Sequence, residues 1–179
     1  EGGRTAHSRL KIPVNGINEL STCNIKKQSN EEELIKVAQI IIWDEAPMQH
    51  KFTFEAVDRT LRDLTRVDKP FGGKVVVMGG DFRQVLPVIP RASRTQIVEA
   101  CLNRSYIWNH VQVLTLHQNM RVQQMMQDGN VTCAQSQQEF SNWLKRIGEG
   151  TEDIYSQYGE NAIHIPPDMC IGCMPQDTI

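Results

Sequence analysis

The chain is poor in long apolar runs, in paired cysteine patterning and in net charge, and each shortage excludes a class of protein. No stretch approaches the ~20 apolar residues that a membrane-spanning helix requires, so the sequence points to no membrane partner. Five cysteines in 179 residues are scattered and odd in number, which argues against a disulfide framework and for a reducing, intracellular compartment. A net charge of −2 excludes a wholesale basic coat for nucleic acid, while leaving room for a local basic groove. Internal repeats, low-complexity tracts and a secretory signal are also lacking. So is an initiator Met: the chain opens EGGRTAHS, and the expectation is a piece of a longer protein, cut inside its first domain.

What is present is a globular composition, 40% hydrophobic and 22% charged, in a chain long enough for one domain with a core. A brief helix is expected from about Arg4 to Arg9, followed by a polar, loop-like stretch. NEEELIKVA reads as a short helix with Asn30 as N-cap and acids in its first turn. QIIIW is short, β-rich and apolar at every position, the signature of a fully buried strand. Phe54, Val57, Leu61 and Leu64 fall at helical spacing. GGKVVVMGGD predicts a second buried strand, TQIVEACLN a helix and VQVLTL a third strand. QQEFSNWLKRIGEG predicts an amphipathic helix ending at Gly148 or Gly150. A strand in IHIPPDM followed by a frayed end completes the pattern. All-apolar strands alternating with helices imply an α/β fold built on a mainly parallel sheet.

Parallel sheets bind ligands at the carboxyl ends of their strands. Asp44 and Glu45 follow QIIIW at such an end. An Asp there suits Mg²⁺, which bridges nucleotide phosphates, and the adjacent Glu suits a base for an attacking water. Solvated acids capping the next helix are the plainer alternative. The second strand ends in Gly79, Gly80 and Asp81, then Arg83 and Gln84. The glycines permit a sharp turn under a ligand, and a Gln at position 84 could hydrogen-bond a γ-phosphate or the water, the alternative being a Gly-rich turn with polar residues facing solvent. Arg121, after the third predicted strand, offers a guanidinium fork for phosphate oxygens.

These segments occur in order: GGRTAHSRLKIP, IIIWDEAPM, GGDFRQVLPVIP, RSYIW and LTLHQNMRV, with EFSNWLKRIGEGTE and IHIPPDM behind them. The set closely resembles the Pif-one-type DNA helicases of superfamily 1B, in particular the plant- and transposon-associated branch, over nearly all of residues 2–169. The resemblance implies a partial RecA-like fold, with residues 1–135 part of the first motor domain and 136–179 a connecting helix and the start of a second domain or a frayed tail. It implies ATP and Mg²⁺ as cofactors, Asp44 as the Mg²⁺ ligand, Glu45 as the catalytic glutamate, Gln84 as the γ-phosphate sensor and Arg121 as the arginine reaching the γ-phosphate. Thr5 and His7 are implied as contacts to single-stranded DNA. Further implications are 5′-to-3′ unwinding at duplex junctions, a monomeric full-length protein, roles in repair, recombination and telomere maintenance, and a nuclear or mitochondrial location.

One part of the pattern is missing. No G-x-x-x-x-G-K-[ST] loop occurs in the chain. In the family it precedes the GGRTAHS region, so it is expected before Glu1, and the chain alone is expected to be inactive and marginally folded. Two other readings compete. One is a non-catalytic remnant with at most weak single-strand binding. The other is a metal-dependent nuclease using Asp44, Glu45 and Asp81, which leaves Gln84 and Arg121 without roles. Cys170 and Cys173 have zinc spacing, but with His164 they make only three of the four ligands a structural zinc takes. Trp43 is expected in the core beneath the acids, and Trp108 and Trp143 in packing rather than base stacking. Met120, Met125 and Met126 are also assigned to packing, while Arg91 and Arg94 suit either DNA phosphates or a solvated loop.

Overall fold

The computed structural model describes residues 3–159 and 162–170. The chain forms two compact units, Glu1–Leu114 and Thr115–Ile179.

The first unit is organised around two parallel strands and one long helix. Strand β1 (Ile40–Trp43) pairs in parallel with β2 (Val75–Met78), Ile40 opposite Val75 and Trp43 opposite Met78. Helices α1 (Ala6–Leu10) and α2 (Asn30–Val37) precede the pair, and α3 (Lys51–Thr65) connects the two strands. Helix α4 (Arg94–Ala100) follows, opened by a reciprocal capping box between Ser93 and Gln96. The α/β class and the parallel pairing expected from the sequence are present.

Because side chains alternate across a strand, the pair has two unlike faces. Trp43 is buried, and Ile41, Val76 and Met78 pack against the core. That core includes Phe54, Val57, Leu61 and Leu64, the α3 residues read from their spacing, and the Trp43 and Phe54 ring centroids are 4.6 Å apart. On the other face Ile40, Ile42, Val75 and Val77 are 53, 75, 60 and 48% exposed. The expectation of strands buried at every position is therefore corrected: among the described residues only one face is covered.

Helix α3 also carries a polar seam inside the unit. Asp58, 1% exposed, accepts hydrogen bonds from the Phe71 amide (2.5 Å), Arg62 Nε (2.9 Å) and the Tyr106 hydroxyl (2.7 Å). Buried Glu55 accepts from Ser105 Oγ at 2.8 Å. Thr60 Oγ1 accepts the Cys23 amide at 2.9 Å, and Arg59 donates to the Ser21 carbonyl through both Nε and Nη2. A buried carboxylate is tolerable only when its lone pairs are satisfied, and these contacts tie α3 to loops on either side of it. The turn at Pro70–Gly73 packs so closely that a Cβ on Gly72 would lie 2.5 Å from the Leu61 carbonyl oxygen, at a φ of +63°.

Several local expectations shift. The first helix begins at Ala6, because Thr5 is its N-cap and accepts the Ser8 amide. The N-cap of α2 is Ser29 rather than Asn30: its hydroxyl accepts the Glu32 amide, and Glu32 in turn accepts the Gln28 amide. VQVLTL forms no strand. A strand exists through its ladder partner, and the sheet among the described residues holds only β1 and β2, so Val113 and Leu114 lie exposed without one.

In the second unit, α5 (Met120–Gln127) and α6 (Val131–Glu149) form a helical pair joined by a turn at Gly129. The pair is fastened where Asn119, the N-cap of α5, donates to Ser141 Oγ at 3.1 Å. Helix α6 starts earlier than its apolar pattern suggested and ends as expected at Gly150, whose left-handed conformation (φ 68°) lets its amide reach the Arg146 and Ile147 carbonyls. Phe140 and Trp143 stack along α6 at 5.9 Å. Met120 and Met126, assigned to packing, are exposed. The expected strand in IHIPPDM is reduced to a single antiparallel bridge between Ile154 and Ile163. Cys173 of the proposed zinc pair lies outside the described residues.

Candidate nucleotide and single-strand site

The carboxyl ends of β1 and β2 are joined by hydrogen bonds beyond their last paired residues. The Gly79 amide donates to the Trp43 carbonyl (2.8 Å) and the Ala46 amide to the Gly79 carbonyl (2.9 Å). These bonds carry the ladder past the last paired residues and hold the two strand ends side by side. Gly80 then passes directly over Pro47, where a Cβ would stand 2.2 Å from the ring Cδ, at a φ of +151°. Only glycine fits there.

Asp44 and Glu45 leave β1 at this junction, and both are exposed. Asp44 Oδ1 accepts the Glu45 amide at 3.0 Å. Glu45 itself has left-handed backbone, φ 51° and ψ 38°, immediately before a short helical turn at Ala46–Met48. That conformation is costly for a residue with a Cβ, and it ends the regular alternation of the strand between the two acids. Neither acid has an ion-pair partner among the described residues.

A cleft of about 620 Å³ opens here. It is lined by the apolar Leu34 and Ile40 to Trp43. Asp44, Glu45, Thr5, His7, Arg4 and Arg9 also line it. The structure therefore brings four of the residues singled out in the sequence to the wall of one cavity. Arg9 and Arg4 were missed. The signal for Arg9 was available: it lies four residues after Thr5, one helical turn along the same face.

Gln84 is outside the lining of that cleft. It follows β2 in a turn that Asp81 closes, where the Gln84 amide donates to the Asp81 carbonyl (3.1 Å). Arg83 grips the Asp81 carboxylate twice, Nε to Oδ1 at 2.9 Å and Nη2 to Oδ2 at 3.0 Å, and its amide adds a third bond. The side-chain bond from Arg83 is the main reason Asp81 is held below the usual carboxylate range, with its amide bond next. Asp81 is thus committed to Arg83. No group of three potential ligands stands together among the described residues, so the three-acid nuclease arrangement is without support; the zinc spacing involves Cys173, outside the described residues. Arg121 is the second residue of α5 and exposed, in the second unit.

What remains is compatible with Mg²⁺. That ion keeps most of its waters and takes one or two carboxylates rather than a protein cage. Asp44, with one oxygen bonded only to a neighbouring amide, offers a hard oxygen ligand of that kind.

Comparison with known proteins adds to this geometry. A family model described as PIF1-like helicase matches residues 1–157. The ATP-dependent DNA helicase Pif1 of a Psychrobacter species is 28% identical over 106 residues, which is 59% of this chain and 16% of the relative. The chain thus spans about a sixth of that relative's length. Among solved structures, one of Pif1 helicases described as two coordinating copies unwinding forked duplex DNA is 28% identical, with a TM-score of 0.51, over 59% of this chain and 26% of its own. Bacteroides Pif1 bound to single-stranded DNA shares the fold, with a TM-score of 0.59 at 23% identity over 84% of this chain and 34% of its own.

Proposed function

Because the chain belongs to the PIF1-like helicase family, we propose that its cleft is the meeting point of nucleotide and single-stranded DNA in an ATP-dependent DNA helicase motor. The observation that carries this reading is the shared cavity: the acids at the carboxyl end of β1 and the Thr5–His7 segment stand on the wall of one cleft. Ligand sites in open α/β sheets form at such strand ends.

In this reading Asp44 is the residue that holds Mg²⁺, and the ion, when bound, offsets phosphate charge. Glu45 accepts the proton of the attacking water. Gln84 hydrogen-bonds the γ-phosphate from the adjacent strand end, and Arg121 keeps the γ-phosphate role that the family resemblance implies for it. Thr5 and His7 contact the single strand. Hydrolysis is thereby coupled to 5′-to-3′ movement along DNA and to opening of the duplex ahead, within the whole protein to which this chain contributes. A solved Pif1 complex with ADP-AlF3 and single-stranded DNA makes both ligands reasonable for a family member.

The test is ATP hydrolysis by the full-length protein, with and without single-stranded DNA, for the parent and for Glu45→Gln. Removal of a general base costs about 10²–10⁴-fold, so DNA-stimulated turnover falls by that factor while DNA binding persists. Unchanged turnover in Glu45→Gln removes Glu45 from the chemistry. Absence of turnover in the parent favours a non-catalytic remnant.

A further inference from the structure

We propose that Trp108 is a positioning residue for the turn that presents Gln84, acting through an edge-to-face contact with Phe82; the functional part of this proposal rests on the role given to Gln84 above. The Phe82 and Trp108 rings are 5.6 Å apart at 87°, the geometry in which the positive edge of one ring meets the negative face of another. Phe82 lies inside the turn Asp81–Gln84 and is itself 38% exposed, too open to be anchored by burial alone.

Trp108 is the firmer partner. It packs against the core and sits in the helical turn Tyr106–His110, which α3 holds at two points. Ser105 caps that turn by accepting the Ile107 amide, while its hydroxyl donates to buried Glu55. Tyr106 donates to buried Asp58. The turn carrying Gln84 is thus fixed at its start by Gly80 against Pro47, closed within by Asp81 and Arg83, and steadied by the Trp108 ring. The path runs from two buried acids of α3, through the 105–108 segment, to a strand-end turn in sequence far from both.

The experiment is site-resolved amide hydrogen exchange on the full-length protein, without nucleotide, for the parent, Phe82→Leu, Trp108→Ala and Trp108→Phe. Arg83 and Gln84 report, since their amides bond to Asp81. Loss of one edge-to-face pair speeds their exchange about fivefold. Phe82→Leu shows this with α3 protection unchanged, and Trp108→Phe, which keeps a ring, exchanges at the parental rate. Phe82→Leu guards against a Trp108→Ala that fails to fold, because it removes the contact from the exposed side. Parental exchange at Arg83 and Gln84 in Phe82→Leu overturns the proposal, as does an equal rise throughout the first unit. Because no nucleotide is present, a Gln84→Ala variant that hydrolyses ATP normally would overturn the role of Gln84 and leave this result standing.

Discussion

Gly80→Ala tests the claim that the two strand ends are locked by close approach. The added Cβ would stand 2.2 Å from Pro47 Cδ, 2.8 Å from Cγ and 3.4 Å from the Ala46 amide nitrogen. Pro47 is a rigid ring in a buried turn, so the clash cannot be relieved by a rotamer change. The backbone at φ +151° adds strain of about 1–3 kcal/mol for a residue other than glycine, and overpacking adds about 1–3 kcal/mol. The expected loss is about 2–6 kcal/mol. A unit of 114 residues has roughly 6–17 kcal/mol in total, so the variant is strongly destabilised or opens locally at the junction. Urea denaturation followed by circular dichroism measures the loss, and exchange of the Ala46 and Gly79 amides locates it. Gly79→Ala is the control. Its Cβ would meet only Asp44 Oδ1, at 3.3 Å, and it costs under about 1 kcal/mol. A Gly80→Ala midpoint within ~0.5 kcal/mol of the parent, or a larger loss in Gly79→Ala, refutes the reasoning.

Asp58→Ala leaves the Phe71 amide and the Tyr106 hydroxyl without an acceptor and Arg62 with Asp68 alone, and it lowers stability by about 2–6 kcal/mol, roughly 1–3 per unsatisfied donor; Tyr106→Phe, which removes one bond to a charged acceptor, costs about 1.5–3 kcal/mol in the same urea titration. His50 caps α3 by accepting the Phe52 amide on Nδ1 at 3.1 Å, and burial, followed by the charge of Lys51, depresses its pKa. The folded value lies below the unfolded one, so stability is full above the ordinary histidine range and declines as pH falls toward the depressed value; a His50→Asn variant, retaining a cap, loses this dependence. The same sign holds for Asp81, whose carboxylate Arg83 keeps ionised: the turn to Gln84 stays ordered down through the ordinary carboxylate range and loosens only as pH falls through the lowered value, which exchange of the Gln84 amide follows. The apolar face of Ile40, Ile42, Val75 and Val77 drives self-association of the chain in isolation, and Ile42→Lys reduces it in sedimentation velocity.

The parts of this fold that were legible in the sequence are those governed by local period and local caps. The spacing of Phe54, Val57, Leu61 and Leu64 determines which face of α3 turns inward, and Gly150 stops α6 because of its backbone freedom. The misread parts depend on neighbours. VQVLTL has strand propensity and no ladder partner among the described residues. QIIIW is apolar throughout, yet a strand is buried on both faces only if two layers cover it. Asp58 and Glu55 look like solvent-side residues of an amphipathic helix. Their partners, Phe71, Ser105 and Tyr106, lie 13 to 50 positions away, beyond any local pattern. At the site, the strand-end acids were visible as DE after an apolar run, whereas the convergence of Thr5, His7 and those acids on one cleft is a property of the folded chain alone.

The left-handed backbone at Glu45 bears on how this position tolerates change. Folding by itself favours Gly or Asn there, residues that adopt such angles readily. Glu45→Asn is therefore expected to raise the melting temperature while removing the carboxylate from the cleft. A glutamate at 45 opposes thermostability, and drift toward greater robustness runs against it. A screen of variants at this one position, sorted by heat resistance and by turnover, should rank them in opposite orders.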